Sequence, residues 1–177
     1  MQFVDVRGML KLPLPKQGIN GGCNFAAMAV LCNLISGISR ILYKSNKSGA
    51  GELFRELLRY YYPWEAGELE QRDYKIKNLY DVIRNPLVHS LGVDDKSDKQ
   101  IVIEKRPLSI RQINKIERSN KRPSWVKLAV RIEDNKYIIN VPGLYLGTYH
   151  MLIRLLKDTR QMALTEQRFK TGKITKR

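Results

Sequence analysis

Residues 23–43 carry small and apolar side chains so densely that a helix formed by them has little surface suited to water. The side chains that set this pattern are those of Phe25, Ala26, Ala29, Val30, Ile35, Ile38 and Leu42. The apolar stretch near residues 25–35 is shorter than the roughly 20 residues that cross a bilayer, and it contains Asn33. We therefore predict a buried central helix and no membrane span.

Apolar side chains at helical spacing predict three more helices. The second helix is indicated by Leu53, Phe54, Leu57, Leu58 and Tyr61, and it stops at Pro63. The third helix is indicated by Ile76, Leu79, Tyr80 and Ile83. A last long helix begins at about Gly143 and is indicated by Tyr145, Tyr149, Leu152, Ile153 and Leu156. Residues 101–103 have the composition of a short strand, and residues 126–132 and 137–141 predict a β-hairpin. The expected fold class is mainly α, with these strands as an insertion at about residues 100–141.

The length of 177 residues favours a single domain, because a chain of this size can bury a sizeable core without disulfides or metals. Pro13, Pro15 and the glycine-rich residues 18–22 predict an irregular N-terminal arm over residues 1–21. The domain is expected to occupy residues 22–169, with a basic flexible tail at residues 170–177.

The two cysteines and two histidines restrict the chemistry that is open to the chain. Cys23 and Cys32 lie nine positions apart, which on a helix places them on opposite sides and prevents a disulfide between them. With His89 and His150 they form no zinc-type spacing, so we expect no metal and no cofactor. Two reduced thiols and an N-terminus interrupted by charge, unlike a signal peptide, indicate the cytoplasm.

The formal net charge of +15 favours polyanionic partners, through Coulombic attraction and counterion release. RNA, DNA and acidic lipid share that chemistry, while a basic surface can also keep a protein soluble or meet an acidic protein. Residues 105–122 are a strong local source of positive potential, opposed only by Glu104 and Glu117. The candidate nucleic-acid-binding residues there are Lys105, Arg106, Arg111, Lys115, Arg118, Lys121 and Arg122.

Arg84, Asn85 and His89 form the strongest candidate site. Pro86 disfavours α geometry at Asn85 and has no amide hydrogen, so we expect the third helix to break there. Asparagine is a favoured N-cap and proline a favoured first helical residue, so a new turn should begin at once, with His89 one turn inside it. The break would let Arg84 and His89, which are about 140° apart in a continuous helix, face one ligand.

These residue types suit a phosphate. The guanidinium fork of Arg84 can hold two phosphate oxygens, and the His89 imidazole can transfer a proton near neutral pH. The amides of a helix N-terminus would add hydrogen-bond donors. The structural alternative is that Asn85 only caps a helix and that His89 is satisfied inside the core.

Residues 79–90 have the sequence LYDVIRNPLVHS, which resembles the signature of HEPN domains. In that signature an arginine, often followed by a polar residue such as asparagine, precedes a histidine by four intervening residues. Elsewhere the resemblance is architectural: an apolar helix and an amphipathic helix precede the signature, and a long helix follows. The resemblance implies an HEPN-like antiparallel helical bundle.

Many HEPN proteins are metal-independent endoribonucleases that act as dimers, with both signatures in a shared basic cleft. The resemblance therefore implies that Arg84 binds the scissile phosphate, His89 transfers a proton and Asn85 orients them. The RNA 2′-hydroxyl would attack and leave a cyclic phosphate. The implied partners are RNA, a second copy of the chain and an antitoxin or regulatory protein, in bacterial or phage defence or stress.

Several alternatives remain open from the sequence. Some HEPN proteins have lost activity, so the chain could instead be a non-catalytic nucleic-acid-binding or protein-interaction module. His89 is followed by Ser90 and Leu91, whereas some toxin members have a tyrosine two residues beyond the histidine. The aromatic cluster that begins at Tyr60 could stack on bases, but we interpret it as core or dimer contact, and His150 as a packed or interfacial residue.

Overall fold

The computed structural model describes residues 2–10, 24–43, 49–86, 100–104, 110–118, 130–133 and 136–171. Helices dominate these residues, which confirms the mainly α fold class. The helices are α1 (Gln2–Met9), α2 (Asn24–Leu42), α3 (Ala50–Tyr61), the 3-10 helix Ala66–Gln71, α4 (Arg72–Asn78), the π-helical turn Leu79–Arg84, α5 (Ile110–Arg118), α6 (Val141–Lys157) and α7 (Thr159–Lys170). The strands are β1 (Gln100–Glu104), β2 (Val130–Glu133) and β3 (Lys136–Asn140).

The predicted central helix is confirmed as α2, which contacts α1, α3, α6, α7 and the π-helical turn. Its side chains Met28, Leu31 and Ile35 are fully buried, in one apolar cluster with Phe54 of α3 and Tyr145 of α6. Full burial of a side chain of this kind stabilises a fold by about 1.5–3 kcal/mol. The core therefore lies where α3 and α6 pack on α2.

The apolar part of α2 is longer than the sequence pattern indicated. The window Phe25–Leu42 spans 18 residues with a mean hydropathy of 1.8, so by length and composition alone it could cross a membrane. The predicted helix over residues 23–43 is confirmed, but the stretch of residues 25–35 that was compared with a bilayer leaves out the small residues after it, which are also compatible with an apolar helix. The buried residues of α2 belong to the core cluster, as in the central helix of a soluble protein.

The prediction of an irregular N-terminal arm is wrong for residues 2–9, which form α1. Val6 and Leu10 are 0% and 1% exposed and belong to the same core cluster as α2. Short helices are marginal in isolation, and this burial supplies the stability that the local sequence lacks. Residues 11–23, and residues 172–177 of the predicted tail, lie outside the described part of the chain.

The predicted strand and hairpin are confirmed in the described part of the insertion. β2 pairs antiparallel with β3, and β1 pairs parallel with β3, which gives the order β1-β3-β2. Tyr137 in the middle strand therefore lies between Ile101 and Ile132. The sequence did not predict the parallel pairing of β1 with β3. Parallel strands need a long connection between them, and here that connection is the stretch of chain that includes α5.

The prediction of one long last helix is wrong, since α6 and α7 are separate helices with Asp158 between them. The Asp158 carboxylate accepts hydrogen bonds from the Gln161 backbone N–H at 2.9 Å and from the Tyr61 hydroxyl at 2.7 Å. The first bond is an N-cap and favours a helix start at this position, and the second joins Asp158 to α3. α7 lies at the C-terminus of α2, where the side chains of Gln161 and Arg168 donate to the Leu42 carbonyl.

Close packing between α6 and Tyr62 depends on Gly147. A β-carbon at Gly147 would lie 2.1 Å from Oη and Cζ of Tyr62, which is itself buried. We expect Gly147→Ala to lower the free energy of unfolding by about 1–3 kcal/mol, because the core would be overpacked. Urea denaturation of the variant measures this change.

The matched control is Gly37→Ala. Gly37 is an exposed glycine inside α2, and nothing lies within 4 Å of a β-carbon added there. Helix propensity alone should raise the free energy of unfolding by about 0.5–1 kcal/mol. Equal effects of the two substitutions would contradict the role given to Gly147.

Candidate functional site

The helix that carries Arg84 changes its hydrogen-bond pattern before Pro86. In the π-helical turn the backbone N–H of Asn85 donates to the carbonyl of Tyr80, five residues earlier. Asn85 has φ −66° and ψ −50°, so both the predicted helix break and the predicted N-cap at this residue are wrong. In a regular α-helix the ring of a proline clashes with the backbone carbonyl four residues earlier. A π turn widens the helix locally, because its hydrogen bonds span five residues, and so relieves the clash.

Arg84 is buried, with 8% of its surface exposed. Its Nε donates a hydrogen bond to Oγ of Ser36 on α2 at 3.1 Å, and its Nη1 donates to Oδ1 of the neighbouring Asn85 at 3.3 Å. Two of the five N–H groups of the guanidinium are thereby used by the protein. These bonds fix the plane of the side chain.

The ring of Tyr80 supports the same guanidinium. Its centroid lies 5.2 Å from Cζ of Arg84 and 5.4 Å from Cζ of Arg55, distances at which a cation is attracted to an aromatic ring. The ring also packs on Phe54, with centroids 5.2 Å apart, and a β-carbon at Gly51 would lie 2.8 Å from its edge. Tyr80 is therefore held from several sides, with Arg84 against its ring.

The two guanidinium groups beside Tyr80 differ in their electrostatic partners. Arg55 pairs with Asp81 at 3.0 Å and with Glu52 at 3.4 Å. No carboxylate of the described residues lies within 4.0 Å of the Arg84 guanidinium. A buried cation without an opposite charge is unfavourable, and a bound anion would offset that cost. Since the guanidinium fork matches a phosphate or carboxylate, the arrangement can bind an oxyanion.

Cys32 lies one turn before Ser36 on α2 and is fully buried. Burial raises the pKa of its thiol to about 12, although the positive charge of Arg84 acts in the opposite direction. The thiol is therefore protonated at neutral pH and is not a nucleophile of this site. The predicted reduced, buried thiol is confirmed for Cys32, and Cys23 lies outside the described residues.

The structure brings two of the three predicted catalytic residues together, since Arg84 contacts Asn85 directly. His89 lies outside the described residues, so its distance from Arg84 stays a prediction. The same holds for four of the predicted basic residues, Lys105, Arg106, Lys121 and Arg122. The other three are exposed on α5: Arg111, Lys115 and Arg118.

Arg111, Lys115 and Arg118 form what we call the basic face of α5. Their positions on a helix of 3.6 residues per turn fall within about 60° of one another, so the three cations share one side. The sequence predicted the charge of this segment but not the helix that aligns it. Such a stripe is suited to a row of backbone phosphates.

Ser36 and Tyr80 are site residues that the sequence did not identify. Tyr80 precedes Arg84 by four positions, a spacing at which an aromatic ring and a cation on one helix meet, so this contact had a local signal. Ser36 lies 48 positions from Arg84 in the chain. That contact has no local signal, because it depends on how α2 packs against the π-helical turn.

The other aromatic and histidine candidates are packed as interpreted, with one exception. Tyr62 is buried and Tyr61 is half-buried, whereas Tyr60 is 69% exposed and does not seal the core. His150 is half-buried, with its ring 5.6 Å from that of Tyr149 in an edge-on contact.

Comparison of the chain with protein-family models, with curated proteins and with solved structures found no match. Within the described ranges, no group of three or more His, Cys, Asp or Glu side chains is arranged to hold a metal ion.

The burial of Cys32 predicts very slow chemical labelling. With a pKa of about 12, roughly one thiol in ten thousand is ionised at about pH 8, against about one in ten for an ordinary cysteine. In a Cys23→Ser variant we expect no reaction with a disulfide reagent in the native state and complete reaction in denaturant. Equally fast labelling in both states would contradict the burial of Cys32 beside Arg84.

Proposed function

We propose that the chain is a metal-independent endoribonuclease of HEPN type, which acts as a cytoplasmic homodimer. The observation that carries this proposal is the state of Arg84: a buried guanidinium held by Ser36 and Tyr80, with no carboxylate partner among the described residues. Such a cation has the charge and the fixed orientation to bind a scissile phosphate. Its electrostatic stabilisation would be strong because Arg84 is only 8% exposed.

The proposed reaction uses the 2′-hydroxyl of the RNA as the nucleophile. The 2′-oxygen attacks phosphorus, the bond from phosphorus to the 5′-oxygen breaks, and the products are a 2′,3′-cyclic phosphate and a 5′-hydroxyl. Arg84 stabilises the negative charge on the phosphoryl oxygens, and Asn85, which accepts from Nη1, orients it. His89 takes the proton of the nucleophile or supplies one to the leaving oxygen. One histidine per chain suffices if two chains contribute.

The test is cleavage of a fluorescent RNA oligonucleotide in the presence of EDTA. We expect cleavage by the wild type and its loss in His89→Ala. Arg84→Lys should reduce the rate by about 100-fold to 1000-fold, the usual cost of removing one donor to a developing oxyanion, because lysine keeps the charge but not the fork. A 2′-O-methyl version of the RNA should not be cut, and the products should carry cyclic phosphates.

Arg59→Lys is the matched control for Arg84→Lys. Arg59 is an arginine on α3 that pairs with Asp73 at 3.1 Å, so its substitution changes a comparable group outside the candidate site. We expect its activity to equal that of the wild type. Activity of His89→Ala equal to the wild type would overturn the proposed mechanism.

A second candidate function is a non-catalytic nucleic-acid-binding module, and the exposed basic face of α5 favours it. Its binding should weaken steeply with salt and should not depend on His89. We expect Arg111→Glu, Lys115→Glu and Arg118→Glu each to lower affinity and to reduce the slope of log K against log salt, by about 0.7 for each phosphate of a single strand that is no longer neutralised. Fluorescence anisotropy at several salt concentrations measures both quantities. Unchanged salt slopes in all three variants would show that the basic face of α5 does not bind the nucleic acid.

A further inference from the structure

α5 contacts α1 and α6 through a side that adjoins its basic face, because Asn114, which contacts Arg7, lies about 60° around the helix from Arg111. Glu117 lies about 120° around the helix from Arg111. One oxygen of its carboxylate, Oε1, accepts a hydrogen bond from the Tyr145 hydroxyl at 2.7 Å and lies 3.2 Å from Nε of Arg7. The other oxygen, Oε2, accepts from Nη2 of Arg7 at 3.3 Å. Asn114, one turn earlier, also accepts from Arg7.

The two partners of Glu117 are themselves fixed in the fold. Tyr145 is fully buried in the core cluster, and burial together with the hydrogen bond to Glu117 raises the pKa of its hydroxyl well above the usual range. The hydroxyl is therefore protonated and donates at neutral pH. Arg7 is on α1, whose Val6 is buried in the same cluster. Through these partners Glu117 connects α5 to the hydrophobic core.

An acid on this helix is unfavourable for binding a polyanion on electrostatic grounds alone. Glu117 lies one residue before Arg118 and two residues after Lys115, and its negative charge lowers the potential of the basic face. Its side chain is only 18% exposed, and its carboxylate is directed to Arg7 and Tyr145. The geometry therefore indicates a role in the placement of the helix.

We propose that Glu117 is a positioning residue: by holding α5 on Arg7 and Tyr145, it fixes the orientation in which Arg111, Lys115 and Arg118 meet the phosphates of a bound RNA strand. This inference rests on the proposed binding of RNA. It goes further by assigning the orientation of the described part of the binding surface to a single acidic residue.

The test compares Glu117→Gln with Glu117→Ala. Both substitutions raise the net charge by one, so electrostatics alone predicts that both strengthen RNA binding equally. Glutamine keeps an oxygen that can accept from Tyr145 and Arg7, whereas alanine removes both interactions. We expect Glu117→Ala to bind a short 2′-O-methyl oligouridine more weakly than Glu117→Gln, with a salt slope smaller by about 0.7 for each phosphate that the basic face no longer neutralises. The 2′-O-methyl groups prevent cleavage during the measurement.

Tyr145→Phe is the second variant, because it keeps the ring in the core and the charge unchanged while removing the hydroxyl. It should lower affinity and salt slope in the same direction as Glu117→Ala. Hydrogen exchange should show faster exchange of the α5 amides in both variants, with the core helices still protected.

Equal affinity and equal slopes for Glu117→Gln and Glu117→Ala would overturn the positioning role. If the wild type binds no RNA, the proposed function fails and the surface assignment fails with it. In that case hydrogen exchange still decides whether Glu117 holds α5, because that readout needs no RNA. If the wild type binds and cleaves RNA but Glu117→Gln and Glu117→Ala have the same affinity and the same salt slope, the positioning role of Glu117 is wrong and the proposed function stands.

Discussion

Packing against α2 is the constraint on which the described structure depends. α1, α3, α6, α7 and the π-helical turn all contact this one apolar helix. Apolar contact has no preferred direction, so it cannot by itself fix how the neighbours are rotated. Two polar groups of α2 supply that direction: Ser36 accepts from Arg84, and the carbonyl of Leu42 accepts from side chains of α7.

The surroundings of Arg84 show how a proline can reshape a helix without ending it. A break at Asn85 was the expected means of bringing Arg84 and His89 to one side. The helix instead continues through Asn85 with a wider turn before it, and such a turn also changes the angle between residues on its two sides. Because Tyr80 lies within that turn, the side chain that supports the guanidinium is placed by the same local feature.

The sequence predicted best those features that depend on a local pattern. α2, α3 and the hairpin follow from apolar periodicity, which burial enforces along each element. α1 was missed because its stability comes from core burial of Val6 and Leu10. The helix boundary at Asp158 had a local signal that was overlooked, because the Asp158 side chain caps the Gln161 backbone N–H three residues later. In the candidate site, Arg84 and Asn85 could be predicted because they belong to a recognisable sequence motif. Ser36 could not, because only tertiary packing brings it to Arg84.

The junction between the sheet and the core contains no linker. β3 ends at Asn140 and α6 begins at Val141, with Pro142 in its first turn and the Asn140 side chain accepting from the Gly143 backbone N–H at 2.8 Å. The middle strand β3 therefore continues directly into α6, and the two elements are held in a fixed relative orientation. A rotation of the three-stranded sheet would also rotate the first turns of α6, which are buried. The sheet can therefore reorient only if the hydrophobic core repacks around α6.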